Sequence, residues 1–139
     1  MDRFLYEKSV SYKGNLIIPF IFSRIENQSI YSYTLLSEQG YKSQLHQSEN
    51  PAGLYSNRLD DIINIAKKHL DENLANFSSI DYFKDRYTYK NNLIIVHQEA
   101  QKAFYDHYPP KKLTNIAAPK IFTTANDCIN WVKAGLDRN

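Results

Sequence analysis

Cysteine is nearly absent: Cys128 is the only one among 139 residues. One thiol excludes an intrachain disulfide and any thiolate metal cluster built from a single chain. It falls at an apolar helical position, where it reads as a small buried hydrophobe. Glycine and proline are scarce, at four and five residues, which argues against a disordered or linker-rich chain. The longest apolar stretch, Leu16 to Phe22, is too short to cross a bilayer, so no membrane partner is expected. Met1-Asp2-Arg3-Phe4 lacks the apolar run of a signal peptide, and the expected location is cytoplasmic.

Catalytic signatures are missing too. There is no phosphate loop, no dinucleotide glycine fingerprint, no Gly-x-Ser-x-Gly elbow and no His-Glu-x-x-His helix. Nothing positive therefore names an enzyme. Dense basic charge is likewise lacking, with a net charge of +2. That charge is uneven: residues 1–78 hold eight Lys and Arg against nine acids, and residues 79–139 hold nine against six. A mild excess in one half does not mark a nucleic-acid protein.

Tyrosine is abundant, with eleven copies against seven phenylalanines and one tryptophan. A polar tip on an apolar body suits half-buried strands, wet grooves and interfaces. The strongest pattern is internal. Tyr12-Lys13-Gly14-Asn15-Leu16-Ile17-Ile18 recurs as Tyr89-Lys90-Asn91-Asn92-Leu93-Ile94-Ile95, with one difference. Leu59 to Asn73 recurs in diverged form as Ala125 to Asn139, matching in register at Asp, Ile, Asn, Lys, Leu, Asp and Asn. Two blocks in the same order predict one domain over 1–139 made of two diverged repeats, about 3–76 and 80–139. The second copy is shorter between the blocks by eleven residues, which reads as a trimmed loop.

Each copy predicts three strands and a helix. Phe4–Tyr12 and Asn15–Arg24 form a hairpin whose turn, Lys13-Gly14, needs positive φ; Lys90-Asn91 takes its place in the second copy. Ile30–Ser37 alternates as a third strand, and Tyr41–His46 is a possible fourth. Leu59, Ile62, Ile63, Ala66 and Leu70 fall on one helical face, capped by Ser56 or Asn57. Thr124 caps the second helix, with Ala125, Cys128, Ile129, Val132 and Leu136 on its apolar face. Glu99–Tyr105 has helical composition, but the repeat favours a strand through Phe104–Tyr108, ended by Pro109-Pro110. Lys120–Thr123 reads as a short strand feeding the last helix. The expected fold is α+β: one mostly antiparallel sheet of six to eight strands, with two main helices on one face and the other face open or covered by a second chain.

Differences between the copies supply the candidate sites. At an offset of seventy-seven residues, Phe20 and Phe22 become His97 and Glu99, an apolar pair turned ionisable. Tyr105 and His107 would share a face on the next strand. His97, Glu99, Tyr105 and His107 are thus candidate ligand-binding residues, for a metal, a haem or a proton-transfer pair, although no cofactor is otherwise indicated. The plainer reading is a wetter edge strand. A second set comprises Tyr31, Tyr33, Tyr87 and Tyr89, whose rings could stack bases, with Lys84, Arg86, Lys90, Lys111, Lys112 and Lys120 along a phosphate backbone. The duplicated plan loosely resembles the layout of Whirly-type and Pur-type single-strand binders, without a shared motif. The plainer reading puts these tyrosines under the helices. Asn64, Lys67 and Asp71 match Asn130, Lys133 and Asp137, each set carrying an i,i+4 Lys–Asp pair. The leading expectation is a non-enzymatic binding module acting through a sheet face or self-association with a protein partner, with single-stranded nucleic acid and a ligand pocket as alternatives.

Overall fold

The computed structural model describes residues 2–138. It is α+β, with two antiparallel three-stranded sheets and two helices. The chain divides into two compact units, Met1–Phe83 and Lys84–Asn139. The first contains β1 (Val10–Tyr12), β2 (Asn15–Ile25), β3 (Gln28–Ser37) and α1 (Leu59–Asn73). The second contains β4 (Arg86–Tyr89), β5 (Asn92–Glu99), β6 (Lys102–Tyr108) and α2 (Ala125–Asp137). The six strands do not join into one sheet: the orders are β1-β2-β3 and β4-β5-β6, each a meander of adjacent hairpins.

Both first hairpins turn through two left-handed residues, Lys13 and Gly14 at φ 47° and 74°, and Lys90 and Asn91 at 48° and 64°. Such a pair matches the twist of the flanking strands. Alternation then sends Ile17 and Leu35 toward α1, where Ile62, Ile63, Ala66 and Leu70 complete a core. Ile94, Val96, Ala103 and Tyr105 meet Cys128, Ile129 and Val132 of α2 in the same manner. Ile63 and Ile129 are equally exposed, at 8%.

The faces turned away from the helices are not open. Leu16, Ile18 and Phe20 are buried, as are Leu93 and Ile95. In the first unit the N-terminal segment covers that face. Phe4 meets Phe20 edge-on at 5.6 Å, and the Leu5 amide donates to the Pro19 carbonyl. Phe4–Tyr12 is therefore no single strand, since a 3-10 turn at Tyr6–Lys8 interrupts it.

Several local expectations also change. Tyr41–His46 forms no strand; Gly40–Lys42 is a 3-10 turn, and the His46 ring accepts the Ser37 amide. Thr124 caps α2 by accepting from the Asp127 amide at 3.1 Å, but α1 starts at Arg58 without a side-chain cap, and Ser56 instead accepts from the Arg58 amide. Lys120–Thr123 contributes only the bridge of Phe122 to Ala103. Glu99–Tyr105 is not helical: β5 ends at Glu99 and β6 runs from Lys102.

The length difference between the units has two sources. Nine residues lie between the paired positions Ile21 and Tyr31, against four between Gln98 and Ala103. Twenty-four lie between the bridged Tyr31 and Ser56, against eighteen between Ala103 and Phe122. The hairpin tip and the connection to the helix are both shorter in the second unit.

Candidate site: a cavity under the second helix

The four residues proposed as one cluster are split by the pleat of the sheet. His97 pairs across the ladder with Phe104, whereas Tyr105 and His107 pair with Val96 and Ile94. Successive side chains point oppositely, so His97 is on the face away from α2, while Tyr105 and His107 are under the helix. On the face away from α2 the His97 ring meets Asp106 at 2.9 Å and lies 5.3 Å from Phe104. Glu99 is exposed at the end of β5, opposite Lys102. Its supposed counterpart, Phe22, sits at a bulge in β2, where it is 53% exposed against Tyr55. A bulge inserts a residue, so the constant offset fails beyond Ile21.

Tyr105 and His107 line a cavity of about 350 Å³ together with Asn92, Ile116, Trp131, Val132, Gly135, Leu136 and Arg138. The Tyr105 hydroxyl accepts from the Ala118 amide at 2.9 Å, which fixes the ring beside Trp131. At Gly135, on the exit turn of α2, the space a Cβ would take is open except for the Arg138 guanidinium at 3.8 Å. Arg138 is exposed and makes no ion pair among the described residues.

His107 is 8% exposed and bonds Asn92 Oδ1 through Nε2 at 2.9 Å. The Asn92 amide nitrogen donates to the Tyr89 and Lys90 carbonyls, so its oxygen must be the atom that faces His107. An amide oxygen only accepts; His107 Nε2 therefore carries the proton. Burial holds the imidazole below its ordinary pKa, in the neutral form.

The first unit has matching bonds with different side chains around them. Tyr33, at the place of Tyr105, accepts from the Ala52 amide at 3.2 Å. Leu35 stands where the second unit has His107, Ile65 where it has Trp131, and His69 where it has Gly135. Asn15 donates to the Lys13 carbonyl just as Asn92 does to Lys90, but Leu35 offers it no donor and Asn15 Oδ1 is buried without a partner.

The residues suggested for nucleic acid are differently used. Tyr87 and Tyr89 point to the helix side of β4, opposite Ile94 and Asn92. The Tyr89 hydroxyl donates to Asp137 at 2.7 Å, and Lys90 pairs with the same carboxylate at 2.8 Å. Lys90 and Lys133 lie 5.8 and 5.3 Å from the Tyr89 ring. Lys84 is exposed, and Arg86 is half-buried on the opposite face of β4. Tyr12, Lys13, Lys67 and Asp71 form the matching cluster in the first unit. The matched Lys and Asp residues of the helices thus tie each first hairpin to the last turn of its helix. Hydrogen bonds from Lys13 and from Lys90 hold the Asp71 and Asp137 carboxyls below their ordinary pKa.

Among the described residues no group of three or more His, Cys, Asp or Glu gathers as a metal site, and no helix is long and apolar enough to cross a membrane. Burial pushes the Cys128 thiol up to about 11, far from a reactive thiolate. Comparison with protein-family models, with curated proteins and with solved structures finds no match to this chain. In sequence, the sign of the cavity was a glycine inside an amphipathic helix where the first unit has His69. The His107 contrast was hidden because its counterpart lies at an offset of seventy-two, not seventy-seven.

Proposed function

We propose that the chain is a non-enzymatic binding module built from two diverged copies of one strand–strand–strand–helix unit, and that the second copy binds a small, largely apolar organic molecule under α2. The single observation that carries this reading is the contrast at Gly135. Two frames are held by equivalent bonds, Tyr12 to Asp71 with Tyr89 to Asp137, and Tyr33 to Ala52 with Tyr105 to Ala118. One carries His69 and Leu35 at positions where the other carries glycine and a buried polar ring, beside about 350 Å³ of space. That volume is near the lower end of ligand pockets, which span roughly 300–1,000 Å³, and suits one ring system. A lone buried cysteine suits the reducing cytosol.

The test uses Trp131, the only tryptophan, as the reporter. Titration with small aromatic compounds is expected to change its emission saturably. Gly135→Leu fills the space and is expected to abolish the change. The same substitution keeps or raises stability, because glycine inside a helix costs roughly 0.5–1 kcal/mol relative to alanine. Saturable binding that survives Gly135→Leu would remove the cavity as the site.

A further inference from the structure

We infer that the cavity selects molecules presenting a hydrogen-bond donor, a ring N–H or O–H, to Nδ1 of His107. The inference rests on the cavity being the binding site and adds its polarity. The Asn92 amide nitrogen donates to two backbone carbonyls, and its oxygen accepts the hydrogen bond of the protonated Nε2. In a neutral imidazole the other nitrogen is then a bare acceptor. No described residue bonds His107 Nδ1, although the side chain is more than nine-tenths buried and lines the cavity. The backbone of the same residue is fully engaged, its amide by Asn115 and its carbonyl by the Ile116 amide. An isostere that brings a second lone pair would cover this acceptor without supplying a proton, which weakens its binding.

Two measurements on the full chain decide it. Long-range ¹H–¹⁵N correlation of the imidazole near neutral pH is expected to show Nε2 protonated and Nδ1 bare; a proton on Nδ1 overturns the inference. Indole and benzofuran then form a matched pair differing in N–H against O. Followed by the Gly135 amide and the Trp131 side chain, indole is expected to bind about tenfold more tightly, the worth of one good hydrogen bond. Equal affinity for both overturns the donor requirement and leaves the cavity reading standing. Perturbation by neither removes that reading and the inference with it. His107→Leu installs the residue type of Leu35 and is expected to erase the discrimination; preference for indole that persists in this variant overturns the inference. Should that variant not fold, the tautomer and the matched pair in the native chain still decide.

Discussion

Two buried histidines contribute to the chain's response to acid. His46 accepts the Ser37 amide through Nδ1, and His107 lies under α2; burial lowers both below the ordinary value of 6.5. The folded state thus resists protons that the unfolded chain takes up, so stability rises with pH between the folded and unfolded values. Their contribution is full above about pH 6.5 and is lost as pH falls through the depressed values. Urea midpoints are expected to be lower at pH 5.5 than at pH 7.5, with the difference reduced in His46→Asn; a flat profile would contradict the burial of both rings. His97 has a carboxylate partner, Asp106. The Asp106 oxygen it meets would lose that bond in His97→Phe, whereas Asn115 holds the other oxygen. Losing a part-buried hydrogen bond costs about 0.5–1.5 kcal/mol, so the variant is expected to lose stability rather than gain it by restoring the type of Phe20. Where the second unit pairs His97 with Asp106, the first has Phe20 and Thr34. Adding Asp106→Thr should recover most of the loss, and a double-mutant cycle in chemical denaturation reads the coupling directly.

At the scale of elements, each helix is held by an apolar face on its sheet and by one carboxylate at its far end. An aspartate in the last turn opposes the helix dipole, and the tyrosine and lysine of the first hairpin offset that at both Asp71 and Asp137. The apolar face supplies most of the stability. Ile63→Ala and Ile129→Ala are each expected to cost about 2–5 kcal/mol, because both side chains are buried between helix and strands. Thermal or urea denaturation measures this. A loss below about half a kcal/mol at either site would mean that its helix does not pack as described.

At the scale of the whole molecule, part of the charge and aromatic surface suggested for nucleic acid is already engaged within the second unit. The positive balance sits in residues 79–139, yet Lys90 and Lys133 cluster at Asp137, and Tyr89 is tied to the same carboxylate. Stacking of bases needs free ring faces along a strand. A fluorescent oligothymidylate is therefore expected to bind weakly in anisotropy measurements, and not at all at 200 mM salt. Tight binding with a steep salt dependence would restore the single-strand reading. On the sheet faces away from the helices, Leu16, Ile18, Leu93 and Ile95 are already buried.

The sequence alone determined the elements whose cause is local. Helices at Leu59–Asn73 and Ala125–Asp137 follow from apolar residues at a period of 3.6, and the first turns follow from Lys13-Gly14 and Lys90-Asn91. The recurrence of Tyr12 to Ile18 also foretold that the two first hairpins would be alike. Register was beyond it. A bulge after Ile21 and a shorter tip at Ala100 changed the offset between the copies, and in a strand one residue reverses the face of every side chain. Within the second unit, the pairing of His97 with Phe104 puts His97 on the face opposite His107. Only the tertiary structure decided that His107 meets Asn92, fifteen residues away along the chain, and that Gly135 opens space above them. Such contacts depend on how strand and helix pack, which no local pattern encodes.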